Sequence, residues 1–295
     1  LSVAENQTAV TTVVATDADA GDTLTYTISG GDDQSKFDLN SSTEVLTFKV
    51  APDYEANGSA AGNNAYVVDV NASDGTVAVT QTITVTVTDA NDAPVITSNS
   101  GGPTASLSVA ENQTAVTTVV ATDADSGDTL SYTISGGADQ SKFDLNSSTG
   151  VLTFKAAPDY ETPDDADTNR DYVVDVNASD GTVAVTQTIT VTVTDANDAP
   201  VITSNSGGPT ASLSVAENQT AVTTVVATDA DAGDTLTYTI SGGDDQSKFD
   251  LNSSTEVLTF KVAPDYEANG SAAGNNAYVV DVNASDGTVA VTQTI

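Results

Sequence analysis

Acidic side chains occur in five short clusters along this sequence, and each cluster stands where a run of alternating apolar residues ends. The clusters are Val-Ala-Glu5-Asn, Thr-Asp17-Ala-Asp19, Pro-Asp53-Tyr-Glu55, Ala-Ser-Asp74-Gly and Asp89-Ala-Asn91-Asp92-Ala-Pro94. Carboxylate and amide oxygens are the ligands that hard cations such as Ca²⁺ prefer in proteins. The clusters therefore predict cation binding.

The charge balance of the chain points in the same direction. The 42 Asp and Glu outnumber the 7 Lys and Arg, and the formal net charge is −35. Nucleic acid is not expected as a partner, because phosphate recognition needs clustered basic residues. No apolar run reaches the roughly 18 residues of a membrane span, so we expect no direct membrane insertion of this segment.

The clusters belong to an internal repeat. The sequence Leu1-Ser2-Val3-Ala4-Glu5 recurs from Leu107 and from Leu213, a period of 106 residues. A unit this long is typical of a complete domain, so we predict three repeats, over residues 1–92, 93–198 and 199–295. The first is N-terminally incomplete and the third ends before the equivalent of Thr84–Asp89, so the third is expected to be the least stable. With no Met present, the chain is interpreted as a segment of a longer protein.

Within each repeat, apolar residues alternate with polar ones, and Gly, Asn, Asp and Ser separate the runs. Such a pattern predicts β-strands with one buried face. About seven strands per repeat favour an all-β fold of immunoglobulin-like Greek-key β-sandwiches arranged end to end. The predicted inward faces are Tyr66, Val68, Val70 and Ala72; Val79, Ile83, Val85 and Val87; Leu24, Tyr26 and Ile28; and Leu46 with Phe48.

The absent residue types exclude most catalytic chemistry. Without Cys and His there is no disulfide, thiolate nucleophile, imidazole base or zinc–thiolate site. Asp53 and Glu55 remain as a conceivable acid and base for glycoside cleavage. Each repeat holds only three Tyr and two Phe, too few to line a sugar cleft, so we expect no enzyme.

Taken in order, the five clusters resemble the cadherin family, whose repeats carry Glu-Asn, Asp-x-Asp, Asp-x-Glu, Ala-x-Asp and a closing Asp-x-Asn-Asp linker. The resemblance covers all three repeats and implies about three Ca²⁺ at each junction between repeats. It implies that the first junction uses Glu5, Asp53, Glu55, Asp89, Asn91 and Asp92, completed by Asp123, Asp125 and Asp180 of the next repeat. It implies that the second uses Glu111, Asp159, Glu161, Asp195, Asn197 and Asp198, completed by Asp229, Asp231 and Asp286.

Some acids depart from this pattern or lie outside it. In cadherins the Asp-x-Asp cluster commonly continues Gly-x-Asn, whereas here Gly21 is followed by Asp22 and Thr23, which puts that backbone ligand in doubt. Asp22, Asp32, Asp33, Asp38 and Asp69 are interpreted as solvated surface acids. The stretch from Asp165 to Asp171, present only in the second repeat, is open between an extra cation site and an exposed acidic loop, with the loop favoured.

The resemblance implies an extracellular, cell-surface function. We expect a calcium-dependent adhesion or stalk segment, in which Ca²⁺ at the junctions makes an extended rod rigid and neighbouring repeats of the same chain are the immediate partners. The alternative is a carbohydrate-binding or homophilic cell-adhesion module, with a surface glycan or another adhesin molecule as partner and Tyr54 as the exposed aromatic. The nearly identical copies and the lack of Cys favour the cadherin-like repeats of large bacterial surface adhesins.

Overall fold

The strands of this protein follow the predicted alternation of apolar and polar residues. A computed structural model describes residues 1–19 and 21–295. In the first repeat the strands are β1 Ser2–Ala4, β2 Ala9–Thr12, β3 Thr25–Gly30, β4 Phe37–Asn40, β5 Val45–Phe48, β6 Ala65–Ser73 and β7 Ala78–Thr88. In the second they are β8 Val95–Ile96, β9 Thr104–Ala110, β10 Ala115–Thr118, β11 Ala121–Thr122, β12 Ser131–Gly136, β13 Phe143–Leu145, β14 Val151–Phe154, β15 Asp171–Ser179 and β16 Ala184–Thr194.

The third repeat contains β17 Val201–Ile202, β18 Ala221–Thr224, β19 Ala227–Thr228, β20 Thr237–Gly242, β21 Phe249–Leu251, β22 Val257–Phe260, β23 Asp281–Ser285 and β24 Ala290–Thr294. Within the described residues, the helical segments are three 3₁₀ turns, Gln34–Lys36, Gln140–Lys142 and Gln246–Lys248. No helix in this part of the chain is long and apolar enough to cross a membrane. The all-β prediction is confirmed.

Each repeat is built from two sheets that share one core. In the first repeat the strand orders are β1-β7-β6-β3 and β2-β5-β4, and in the second they are β12-β15-β16-β9 and β10-β14-β13. The third repeat has the orders β20-β23-β24 and β18-β22-β21. The pair β8 and β11, and likewise β17 and β19, joins the start of a repeat to the edge of its sandwich. The domain boundaries after residues 92 and 198 stay a prediction.

The core is mainly aliphatic, with a small aromatic cluster in its centre. Tyr66, Val68 and Val70 are buried on one face of β6, as predicted. The Phe37 and Phe48 rings stack with centroids 4.6 Å apart, and Phe48 meets the Tyr66 ring edge-on at 5.1 Å. Such pairs add stability beyond their buried area.

Three sequence predictions about exposure need correction. Val79 was assigned to an inward face but is 68% exposed, whereas the equivalent Val185 and Val291 pack partly buried against the cores of their repeats. Tyr54, expected to be exposed, packs partly buried against the core. Asp33, expected to be solvated, is 3% exposed, since its two oxygens accept the backbone N–H groups of Ala60 at 2.6 Å and Val67 at 2.9 Å.

The acidic stretch of the second repeat is partly a structural loop. Asp167 is exposed, but Asp165 is buried and accepts the N–H groups of Asn169 at 2.9 Å and Arg170 at 3.2 Å. The Arg170 guanidinium lies 4.1 Å above the centre of the Tyr160 ring. The interpretation of this stretch as an exposed loop therefore does not hold for Asp165, because its buried carboxylate closes the loop through backbone hydrogen bonds.

Candidate metal centre

Parallel pairing of the first and last strands brings two acidic clusters together at the end of a repeat. In the register of β1 and β7, Ala4 lies opposite Thr88. Glu5 and Asp89 are the next residues of the two strands, and because parallel strands end at the same edge, both point to the junction. The second repeat has the same register between β9 and β16, which places Glu111 beside Asp195.

The Glu5 carboxylate organises this end of the repeat. It is 1% exposed and accepts the N–H of Ala90 in the linker at 2.9 Å and the N–H of Tyr54 at 2.8 Å. Glu111 makes the equivalent hydrogen bonds to Ala196 at 2.9 Å and Tyr160 at 2.6 Å. A carboxylate that accepts backbone N–H groups is stabilised in its charged form. Each glutamate thus fixes both the linker and the Asp-x-Glu segment.

The next repeat contributes its acids through a second strand pair. Antiparallel pairing of β8 with β11 places Thr122 opposite Val95, so that Asp123 and Asp125 follow directly beside the linker. Asp125 Oδ2 accepts the N–H of Asp92 at 2.7 Å. Asn91 Nδ2 donates to Asp180 Oδ2 at 2.9 Å. Side chains from two consecutive repeats therefore meet around one linker.

Carboxylate oxygens crowd closely at the first junction. One oxygen from each of Glu5, Glu55 and Asp92 lies within 4.8 Å of the others, and the same is true of Glu55, Asp89 and Asp125. Desolvation raises the pKa of Glu55, and the nearby charges of Glu5, Asp89 and Asp125 raise it further. Burial followed by repulsion from Asp125 and Glu5 raises the pKa of Asp89. Like charges at such separations disfavour ionisation unless a cation balances them.

The second junction repeats this geometry. Asp198 donates its N–H to Asp231 Oδ2 at 2.7 Å, and Asn197 Nδ2 donates to Asp286 Oδ2 at 2.9 Å. Desolvation again raises the pKa of Glu161, with repulsion from Glu111, Asp195 and Asp231 adding to it. Two independent junctions with the same contacts show that the arrangement follows from the repeat sequence.

Several of these oxygens are buried without any hydrogen-bond partner. They are Glu55 Oε2, Asp123 Oδ2 and Asp125 Oδ1 at the first junction and Glu161 Oε2, Asp229 Oδ2 and Asp231 Oδ1 at the second. An unpaired buried carboxylate oxygen is costly, and coordination of a metal is one way of satisfying it. All-oxygen donors of this density fit Ca²⁺, which takes six to eight oxygen ligands. The residues present therefore fit the ion.

Three of the predicted site residues, Asp53, Asp159 and Asp180, accept backbone hydrogen bonds in tight turns. Asp159 has an oxygen within 4.8 Å of those of Glu111 and Glu161. Asp159 and its counterpart Asp53 are both exposed, and their Oδ1 atoms accept the N–H groups of Thr162 at 2.7 Å and Ala56 at 2.8 Å. Asp180 Oδ1 accepts the N–H groups of Thr182 and Val183. The hydrogen bond from Val183 contributes most to lowering the pKa of Asp180, followed by those from the Asn91 side chain and the Thr182 N–H.

Two kinds of junction residue were missed from the sequence. Asn6 Nδ2 donates to Asp92 Oδ1 at 3.0 Å, and Asn112 does the same to Asp198. Asp128 has a carboxylate oxygen within 4.8 Å of those of Asp123 and Asp125, although its counterpart Asp22 was interpreted as solvated. The threefold recurrence of the Asp-x-Asp-x-Gly-Asp spacing was the available signal.

Comparison with known families agrees with this geometry. The profile of the Cadherin domain matches residues 1–88 and 105–194. The chain belongs to the cadherin family. Cadherin EGF LAG seven-pass G-type receptor 2 of Mus musculus is 32% identical over 250 residues, which are 81% of this chain and 8% of that protein. Protocadherin Fat 1 of Homo sapiens is 30% identical over 245 residues, which are 79% of this chain and 5% of that protein.

The fold of this chain is similar to that of a solved structure. A crystal structure of human CDH23 EC21-23 covers 99% of this cadherin chain, and the match covers 96% of that chain, with a TM-score of 0.52 and 21% sequence identity. The chain spans less than a tenth of the length of the curated relatives named above. These relatives are eukaryotic cadherins, so the expected origin in a bacterial adhesin finds no support among them.

Proposed function

We propose that this cadherin chain is part of an extracellular, cell-surface adhesion or stalk protein in which Ca²⁺ at the two junctions makes consecutive repeats rigid. Family membership supports the adhesion setting. The observation that carries the proposal is the set of buried carboxylate oxygens without hydrogen bonds at each junction, in part from the repeat before the linker and in part from the repeat after it. A ligand shared in this way links the two repeats.

The charge count supports more than one cation per junction. The residue set that the sequence assigns to each junction contains eight carboxylates and one Asn. At each junction, three Ca²⁺ would bring six positive charges. The residues that would hold them are the set that includes Glu5 at the first junction and the set that includes Glu111 at the second. The bound ions would supply the positive charge that the protein itself lacks there. Asn91 and Asn197 orient the Ala-x-Asp carboxylate of the following repeat toward the linker.

Rigidity would follow from the same charges. Without cations, close carboxylates on the two repeats repel each other and favour separation. Pro94 and Pro200 are buried directly after the linkers, and the ring restricts the backbone there. Because Ca²⁺ bridges would exist only in the ordered junction, the ion would stabilise it by mass action.

Calorimetric titration of the metal-stripped chain with Ca²⁺ tests the proposal. We expect uptake of about six ions, three per junction. Asp92→Ala and Asp198→Ala should each lower the uptake and increase the radius of gyration measured by X-ray scattering in Ca²⁺. Asp144→Ala is the matched control, because Asp144 is an exposed acid on β13 of the second repeat. No uptake by the parent chain would refute the proposal.

The alternative functions receive less support from the geometry. A glycan-binding face needs several exposed aromatic rings. Tyr26 and Tyr66 are buried and Tyr54 packs against the core, which leaves Tyr266 of the third repeat, 67% exposed, as the exposed ring among the described residues. We also assign no enzymatic step to the chain. Glu55 lies in the carboxylate cluster with Asp89 and Asp125, so we assign it to cation binding and not to acid catalysis.

A further inference from the structure

The turn after each Asp-x-Asp pair carries a third carboxylate at the junction. In the second repeat, one oxygen of each of Asp123, Asp125 and Asp128 lies within 4.8 Å of the others. The Asp128 N–H approaches the Asp125 carbonyl at 3.4 Å, which folds the chain back toward the pair. The third repeat forms the same turn, with 3.4 Å between the Asp234 N and the Asp231 carbonyl oxygen.

No basic side chain compensates these charges within the described residues. The ion pairs found there are Lys142 with Asp164 and Lys261 with Asp250, both outside the turns. Desolvation, and then the charges of Asp125, Asp123 and Asp180, raise the pKa of Asp128. The turn thus brings three like charges within 4.8 Å of one another, and a bound cation would offset their repulsion.

An independent observation indicates that the turn faces a ligand. Asp123 Oδ1 accepts the Asp125 N–H at 3.0 Å, and Asp125 Oδ2 accepts the Asp92 N–H at 2.7 Å. The other oxygen of each residue, Asp123 Oδ2 and Asp125 Oδ1, is buried and has no hydrogen-bond partner. Asp229 Oδ2 and Asp231 Oδ1 are in the same state at the second junction. Buried unpaired oxygens in both copies require a positive or hydrogen-donating group.

We propose that Asp128 and Asp234 supply a further carboxylate to the Ca²⁺ bound by the preceding Asp-x-Asp pair. The inference rests on the proposed junctional calcium binding and adds a residue to it. In this sequence Thr129 and Thr235 stand where the cadherin pattern has Asn. A side-chain carboxylate one residue earlier adds negative charge to the ligand set, and ligand charge is one of the factors that tune Ca²⁺ affinity.

Calcium titration of the full chain and its variants tests this assignment. We expect D128N and D234N each to weaken the binding of one Ca²⁺ by about tenfold, because each removes one ligand charge. D144N removes the same charge from an exposed position of the second repeat and should leave the isotherm unchanged. D22N changes the equivalent turn of the first repeat, where Asp17, Asp19 and Asp22 also have oxygens within 4.8 Å of one another. Asp17 and Asp19 are exposed there, whereas Asp123 and Asp125 are half-buried, so we expect a smaller change than for D128N.

The outcomes separate this inference from the proposed function. If the parent chain binds Ca²⁺ and D92A weakens it while D128N and D234N bind as the parent does, Asp128 and Asp234 are not ligands and junctional binding stands. If D144N weakens binding as much as D128N does, the effect is general surface charge and the assignment is wrong. If the parent chain binds no Ca²⁺, the proposed function and the inference both fail. Unchanged circular dichroism of D128N confirms that its fold is intact.

Discussion

The second and third repeats have nearly the same sequence, yet they bury their equivalent acids differently. Glu111 is 3% exposed and accepts N–H groups from both Tyr160 and Ala196. Glu217, its counterpart, is exposed and accepts the N–H of Tyr266 at 3.0 Å. The same glutamate is therefore a buried junction residue in one repeat and a surface residue in the other.

The last strand and the linker account for the difference. Strand β16 runs over Ala184–Thr194 with Val191 and Val193 buried, and the linker follows it past Glu111. Strand β24 covers Ala290–Thr294 only. Burial of Glu111 thus depends on the second half of β16 and on the linker after it, and the comparison teaches that the sandwich core alone does not bury this acid.

The largest expected effect comes from extending the third repeat. Adding Thr-Val-Thr-Val-Thr-Asp-Ala-Asn-Asp after Ile295, which copies residues 190–198, should stabilise this repeat by about 3–6 kcal/mol through two buried valines. Hydrogen exchange of the β23 amides measures the gain. The same extension with both valines changed to Ser is the control and should give little protection. Equal exchange with and without the valine extension would contradict the comparison.

Replacing the equivalent glutamates should have unequal effects. In excess Ca²⁺, Glu111→Ala should destabilise the second repeat by about 3 kcal/mol, since two charged hydrogen bonds are lost in a buried place. Glu217→Ala should cost the third repeat under about 1 kcal/mol, because its carboxylate is exposed. Unfolding in denaturant, monitored repeat by repeat through amide hydrogen exchange, measures both free energies. Equal losses would show that the linker is not what makes Glu111 important.

Removing Ca²⁺ should loosen the linkers more than the cores. We expect chelation to accelerate exchange of the Ala90 and Asp92 amides about tenfold, because their acceptors Glu5 and Asp125 are then in repelling clusters. The amide of Val174, buried in β15, is the internal reference and should change little. Uniform acceleration of all three amides would indicate global destabilisation instead.

The smallest predicted effect concerns a turn that differs between repeats. Glu44 and Glu256 have φ of 64° and 62°, whereas the second repeat has Gly150 at 69° in the same place. Because a left-handed backbone costs non-glycine residues roughly 1–2 kcal/mol, Glu44→Gly should stabilise the first repeat by about 1 kcal/mol. Thermal melting measures the shift. Asp38→Gly in strand β4 is the control and should not stabilise, because glycine weakens the interior of a strand.

Much of the fold could be predicted from the sequence, because strand alternation is a local property. Tyr66, Val68 and Val70 are buried as the pattern indicates. Val79 follows the same pattern and is exposed, whereas the equivalent Val185 packs against the core of the second repeat, so alternation alone does not determine burial. The cadherin motifs likewise predicted that Glu5 and Asp125 lie at the junction. Asp128 was missed because its proximity to Asp123 and Asp125 depends on how the turn folds.

The sequence by itself determined the repeat, the all-β class, the excess of carboxylates and the order of the acidic motifs, because these follow from residue type and spacing. Tertiary structure decided which acids become buried neighbours. Glu5 meets Asp89 through parallel strand pairing, and Asp92 meets Asp125 through pairing of β8 with β11. Contacts between residues that are far apart in sequence depend on strand order and register, which no local pattern specifies.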